Sequence, residues 1–319
     1  MSRVAVVAGG SAGVGLAVVE RLVREGYAVA ILARGAERLD ELQARFGDKV
    51  LTQVCNVSEA DAVMGAAQTV RDTLGQPVIW VNSAMLTAFS PFAKMAAEEF
   101  EKITDTTYHG QVNGTRAALT VMDAGNIVNI GSGLSYRAVP MQSAYCGAKH
   151  AINGFTSAVR SELIRENRGI YLSLVQLPAI NTPQFEWARN RFDKAPQPAP
   201  PIYQPEVAAD AVMKAIKGNL REVLVGKSVL QLVIGQMILP DWLDKKLAGD
   251  GADMQKSEMD QEGYRAGNID EPVARAPSAR GIFGDRASDK ALIMDADLVR
   301  KIAVFGGAAV LFGLGLIVG

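Results

Sequence analysis

Tyr145 and Lys149 stand four residues apart in GSGLSYRAVPMQSAYCGAKHA, residues 131–151. Residues four apart on a helix share a face. Ser132 closes the apolar run before them, thirteen residues ahead of the tyrosine. Hydride transfer to a carbonyl leaves an alkoxide that needs a proton. A tyrosine at its ordinary pKa of about 10 is a poor base at neutral pH. A nearby ammonium favours the phenolate and lowers that pKa. The spacing therefore points to Tyr145 as acid in reduction and base in oxidation, with Lys149 tuning it. Ser132 then hydrogen-bonds the reacting oxygen and steadies its developing charge.

A second stretch handles phosphate. AGGSAGVG, residues 8–15, follows the apolar run Val4-Ala5-Val6-Val7 and leads into a helix opening at Val14. Gly9 permits a tight turn. Gly13 and Gly15 let backbone and helix approach a pyrophosphate, with Ser11 and Val14 beside them. Helix N-terminal N–H groups and the helix dipole favour the phosphate charge. Arg34 ends the next apolar run, in AILARGAERL. Domains that prefer NAD usually carry an acid there, on the ribose hydroxyls. A guanidinium instead matches a 2′-phosphate in shape and charge, so NADP(H) is expected over NAD(H).

These residues need a scaffold. Apolar runs at 3–8, 27–33, 49–54, 78–82, 126–131, 170–177 and 222–225 read as strands. Helical patterns fall at 14–25, 36–45, 58–74, 98–120, 143–167 and 205–217. Continuous apolar strands alternating with helices predict a doubly wound parallel α/β sheet covered on both faces. Residues 1–243 are read as this domain. Within it, the proline-rich stretch 183–205, with Phe185, Trp187, Phe192 and Tyr203, suits a substrate lid. Residues 244–300 are polar and poor in aromatics, and read as a disordered tether. Residues 301–319 end the chain in an uncharged run, 302–318, preceded by Arg300 and Lys301. That run is short for a bilayer core, yet it is read as a tail anchor on the cytoplasmic face of a membrane. The other reading is a helix buried in an oligomer interface.

Bulk properties exclude other classes. The net charge of −1 over 319 residues gives no reason to expect a nucleic-acid partner. Two cysteines, Cys55 and Cys146, and two histidines, His109 and His150, make neither a disulfide framework nor a metal site. Cys146 beside Tyr145 is read as a packed residue rather than a redox switch. The first strand begins at Arg3, which leaves no room for a signal peptide.

The G-x-x-x-G-x-G turn and the Ser…Tyr-x-x-x-Lys set together resemble the short-chain dehydrogenase/reductase family, over about residues 3–228. The resemblance implies a Rossmann-type fold of about seven strands. It also implies an oxidoreductase that interconverts a small-molecule carbonyl and alcohol. Ala8 stands where the family usually has Thr. Asn56, followed by Val57, stands where an Asp commonly contacts adenine. Asn82-Ser83-Ala84-Met85 replaces the usual NNAG and is expected beside the cofactor, with Met85 adding bulk. Pro178, Ile180 and Thr182, in LPAINT, match the segment that holds the nicotinamide carboxamide. Lys149 is implied on the nicotinamide ribose, next to Tyr145. Thr107 falls where the family has the asparagine of its proton relay, and Asn113 is too far along the helix to replace it. Family members often form dimers or tetramers through the helices read at 98–120 and 143–167. The aromatic stretch and apolar tail suggest a lipophilic substrate. Thr107 and Met85 motivate the rival reading, a catalytically idle NADP(H)-bound sensor or scaffold at a membrane.

Overall fold

The computed structural model describes residues 3–261 and 263–305. Strand β1, Val4–Ala8, shows why the sheet is two-sided. Val4, Val6 and Ala8 pack into one hydrophobic cluster, and Ala5 and Val7 into another. Successive side chains of a strand point to opposite faces, so an all-apolar strand needs cover on both. Helix α1, Gly13–Arg24, and helix α2, Ala36–Phe46, cover one face. Helix α3, Ala60–Leu74, covers the other.

Strands β2, Ala28–Ala33, and β3, Val50–Val54, extend the sheet from β1 in one direction. Strand β4, Pro77–Asn82, then crosses to the far side of β1. Strands β5, Ala124–Ser132, β6, Gly169–Leu177, and β7, Glu222–Val225, follow outward in parallel. Between them run α4, Ala97–Thr104, α5, Gly110–Val121, α6, Ser143–Arg165, and α7, Pro205–Gly218. The order reverses between β1 and β4. Ligands of doubly wound sheets bind at such a reversal, beyond the strands' carboxyl ends. The glycine turn lies there.

The seven expected strands are all present. The helix expected over 98–120 is instead broken by a π-helical turn, Asp105–His109. That turn carries two buried threonines, Thr106 and Thr107, and ends at Gly110. A Cβ on Gly110 would lie 2.6 Å from Val57 Cγ2, so the chain there is pressed against its neighbour.

Residues 244–300 are not the disordered tether their composition suggests. The expected boundary at 243/244 falls inside a helix, Pro240–Asp250, which we call α9 after α8, Gly226–Ile238. Lys256–Asp260 pairs antiparallel with Lys194–Pro196. Strand β8, Ile293–Asp295, adds antiparallel to β7 at the sheet edge. Composition misleads because much of this segment is held by backbone hydrogen bonds, which side-chain polarity does not reveal. The lid stretch is likewise packed. Phe185 lies 6.0 Å from Phe89 and 5.9 Å from Phe283, ring centre to ring centre, the last supplied by the C-terminal segment.

Residues 296–305 are helical. From residue 306 onward the apolar run lies outside the described residues. Among the described residues no helix is long and apolar enough to cross a membrane. Arg300, expected at a lipid surface, is folded onto the domain. It donates to buried Glu222 at 2.5 Å and to Asp297 at 3.2 Å. Tyr136 also donates to Glu222. A buried carboxylate needs such partners, and they hold Glu222 below its ordinary pKa despite burial.

Candidate active site

The glycine turn is closed to side chains by its own packing. Gly9 has φ +84°, and a Cβ there would lie 2.4 Å from the backbone nitrogen of Ala84. A Cβ on Gly15 would lie 2.0 Å from the Gly9 carbonyl oxygen. Gly13 has φ +56° and faces Thr182, whose Cβ and Cγ2 would be 3.3 Å from a Cβ there. The turn, the Ser83–Ala84 loop and the segment after β6 thus meet. Ser11 is buried in the turn. Ala in place of Gly gains about 1 kcal/mol in a helix. At Gly15 a backbone clash overrides that gain, because neither the carbonyl nor the turn can give way. We expect Gly15→Ala to cost about 3 kcal/mol or more, measured as a fall in Tm. A Tm at or above that of the wild type would refute this packing.

On α6, Tyr145 and Lys149 share a face, with the Lys149 ammonium 5.6 Å from the Tyr145 ring centre. Lys149 is 2% exposed, and Nζ donates to the Ile130 carbonyl of β5 at 2.6 Å. No carboxylate pairs with it among the described residues. Burial alone pushes its pKa down to about 7. Tyr145 is half-buried, and desolvation pushes its phenol well above the ordinary value. This departs from the expected depression by Lys149. The hydroxyl of Ser132 is the group that favours the ionised phenol. Ser132 Oγ also accepts from Leu134 N at 3.1 Å, which fixes its rotamer at the end of β5. Strand end and helix thus bring the three expected residues together.

Thr107 is buried on Leu86, which packs in the same cluster as Tyr145. Its hydroxyl donates to the Leu86 carbonyl at 3.1 Å and accepts from Leu86 N at 3.0 Å. Thr107 thus clamps the Leu86 loop, with one acceptor lone pair of its hydroxyl left over. Asn113 donates to the carbonyls of Val57 and Ser58, and positions the loop after β3. The polar neighbour of Lys149 is Gln111, which the motif reading overlooks. Gln111 Nε2 donates at 3.0 Å to the same Ile130 carbonyl, and its buried Oε1 has no partner among the described residues. Its place four residues after Thr107 was the available signal.

Of the other expected cofactor residues, Asn82 has its side chain in a buried hydrogen-bond network. It is fully buried, accepts from Trp80 Nε1 at 2.9 Å and donates to Asn129 Oδ1 at 2.8 Å. Its neighbours Ser83 and Ala84 contribute backbone, Ser83 N bonding the Ala8 carbonyl at 2.8 Å. Asn56 donates to Glu59 at 2.8 Å in the turn before α3, and Val57 is buried. Pro178 and Ile180 lead to Thr182 opposite the turn. Val14 is half-buried at the start of α1. Cys146 is buried, its thiol pushed up to about 11, which suits a packed residue.

Just past the end of β2 stands Arg34, with a second arginine that the sequence does not single out. Arg38 lies under Arg34's repulsion, over the Trp187 ring at 5.1 Å, with no ion-pair partner among the described residues. Two clustered guanidinium groups make a site for an anion. The residues therefore fit a dinucleotide: a turn whose glycines leave no room for a Cβ, a helix N-terminus and two clustered arginines. Arg34 is, however, already engaged. It donates to the carbonyls of Asn268 at 2.8 Å and Ile269 at 3.3 Å. Gly13 N donates to the Ser278 carbonyl at 2.9 Å.

Comparison with known proteins agrees with this geometry. A family model described as short chain dehydrogenase matches residues 3–191. An uncharacterised oxidoreductase of Bacillus subtilis is 30% identical over 254 residues, covering 76% of this chain and 70% of the relative. A 2-(R)-hydroxypropyl-CoM dehydrogenase of Xanthobacter autotrophicus is 33% identical over 228 residues, covering 67% and 90%. A crystal structure of a short-chain dehydrogenase from Streptomyces avermitilis superposes with a TM-score of 0.66 at 24% identity, over 78% of this chain and 96% of that one.

Proposed function

The chain belongs to the short-chain dehydrogenase/reductase family, and from that premise we propose an NADP(H)-dependent carbonyl reductase or alcohol dehydrogenase in which Tyr145 moves the proton. The observation that carries the proposal is the convergence of Ser132, Tyr145 and Lys149 at the end of β5 and on α6. Bound in the groove, the nicotinamide would donate or accept the hydride. The Gly9–Gly15 turn, Thr182 and the two arginines would hold the dinucleotide. Ser132 hydrogen-bonds the substrate oxygen. Tyr145, kept protonated at neutral pH by burial, gives its proton to that oxygen in reduction. Lys149 lies behind it with a pKa near the working pH, so it can pass a proton forward or take one up. Gln111 shares the carbonyl that orients Lys149.

Arg34 and Arg38 support NADP(H) over NAD(H). Charge-assisted hydrogen bonds contribute about 1.5–3 kcal/mol each. Arg38→Ala is therefore expected to weaken NADPH about 10–100-fold and leave NADH nearly unchanged, in fluorescence titrations of both cofactors. Equal losses for the two would contradict a 2′-phosphate site. The uncharged run 302–318 and the aromatic stretch 183–205 support a lipophilic substrate and a membrane-held enzyme. If the full chain partitions wholly away from lipid vesicles, that part fails. Thr107, engaged on both Leu86 backbone groups, is the observation behind the idle-sensor alternative. The test is turnover. A carbonyl panel with NADPH should give product that Tyr145→Phe abolishes. A chain that binds NADPH tightly and turns over none of the panel favours the sensor.

A further inference from the structure

We infer that residues 268–281 are an intramolecular ligand of the dinucleotide groove, held where NADP(H) would lie, so that cofactor binding requires their displacement; the inference rests on reading that groove as the cofactor site.

The strap touches the groove at three stations, in order. At the β2 end, Arg34 donates to the carbonyls of Asn268 and Ile269. Pro272 Cβ lies 3.5 Å from where Gly35 would carry a Cβ. At the glycine turn, Gly13 N donates to the Ser278 carbonyl at 2.9 Å, and Ala279 is buried in the main core cluster, against which Val14 packs. Past β6, Gly281 N donates to the Asn181 carbonyl at 3.1 Å. A Cβ on Gly281 would lie 2.6 Å from the Thr182 carbonyl oxygen, so only glycine passes there. These are the three points the dinucleotide reading needs: the arginine, the phosphate turn and the segment after β6.

The chemistry matches as well as the path. A guanidinium and a turn N–H at a helix N-terminus are donors that call for oxygen acceptors. Three main-chain carbonyls fill them, in place of phosphate oxygens. Asp270 and Glu271 also bring negative charge toward Arg34.

Both ends of the strap are anchored outside the groove. Asp270 bridges Arg189 at 2.5 Å and Lys102 at 2.6 Å. Phe283 packs its ring on Phe185, and Phe283 N donates to Asn181 Oδ1 at 3.0 Å. Between the stations the strap lies at the surface, where Arg275 pairs with Glu186 at 2.7 Å and Arg280 with Glu206 at 3.0 Å, and exposed pairs of this kind hold weakly. Ala274, Arg275, Ala276 and Ser278 are exposed. A tethered segment competes at high effective concentration, yet a thinly held one opens locally. The apparent affinity for cofactor then falls by the fraction of molecules with the groove open.

The experiment uses the full chain, with NADPH as the probe and two readouts. Gly281→Val blocks the passage at Thr182, and Phe283→Ala removes the ring that anchors the far end of the strap on Phe185, away from Arg34. Each is expected to bind NADPH about tenfold or more tighter than wild type, by fluorescence titration. In the wild type, NADPH is expected to speed trypsin cleavage after Arg275 and Arg280, a readout that needs no variant to fold. Unchanged or weaker binding in the variants, or protection of these bonds by NADPH, would overturn the strap and leave the cofactor reading intact. Absence of NADPH binding in the wild type and both variants would overturn the cofactor reading, and the strap with it.

Discussion

Tyr145→Phe is expected to lower kcat for carbonyl reduction by about 10²–10⁴-fold, the usual worth of a positioned general acid. The phenyl ring keeps the packing and loses only the transferable proton, so NADPH affinity should change far less than kcat. The direction of the Tyr145 shift adds a pH signature. Desolvation raises its pKa, so the phenol is protonated throughout the neutral range. Reduction, which needs the protonated form, should show no loss from this group between pH 6 and about 8. Oxidation needs the phenolate, whose fraction rises about tenfold per pH unit below the pKa. Alcohol oxidation should therefore climb with pH where reduction does not. Parallel profiles in both directions, or a Tyr145→Phe enzyme within tenfold of wild type, would remove Tyr145 from the role of acid and base.

Lys149→Met is expected to separate activity from stability. The lysine is buried without a carboxylate, and its pKa stands at about 7 in the fold against 10.5 for an ordinary lysine. Between those two values the unfolded chain binds a proton that the folded chain does not. Stability from this group therefore rises as pH goes from about 7 to about 10.5, and the full penalty is present below pH 7. Methionine has similar length and no charge. The Ile130 carbonyl it leaves still accepts from Gln111. Replacing a buried charge by a packed apolar group commonly gains about 1–4 kcal/mol. At about 2–4 °C per kcal/mol for a larger domain, Tm at pH 6–7 should rise by several degrees. The gain should shrink toward pH 10. Turnover should fall by about 10²-fold or more, because the proton behind Tyr145 is gone. A lower Tm at pH 6–7 would mean that the ammonium contributes to the fold, against the desolvation argument.

The parts of this molecule legible in its sequence are those written in side-chain type. Continuous apolar runs such as VAVVA mark strands covered on both faces, and all seven are found. Gly9, Gly13 and Gly15 announce close approach of backbone, and the structure shows what approaches them. Ser132, Tyr145 and Lys149 follow from spacing on one strand end and one helix. Other parts are written in the backbone and stayed hidden. The strap binds Arg34 and Gly13 through carbonyls of Asn268, Ile269 and Ser278, whose side chains say nothing about it. Its polar composition reads as disorder because anchors such as Asp270 pair with residues far away in the chain. The π-helical turn at 105–109 has no periodic signature, and it turns Thr107 onto Leu86. Arg38 looks like a solvated helix residue until β2 and the 183–205 stretch place it beside Arg34 and Trp187.

The most direct test of the central claim is isotope transfer. Full-length protein is incubated with NADPH deuterated at the transferable position and a panel of aliphatic and aryl ketones, and the alcohols are analysed by mass spectrometry. The account predicts deuterium on the carbinol carbon of at least one product, lost in Tyr145→Phe. NADPH binding with no deuterium in any alcohol, in the wild type and in the strap variants alike, would contradict it and assign the groove to sensing.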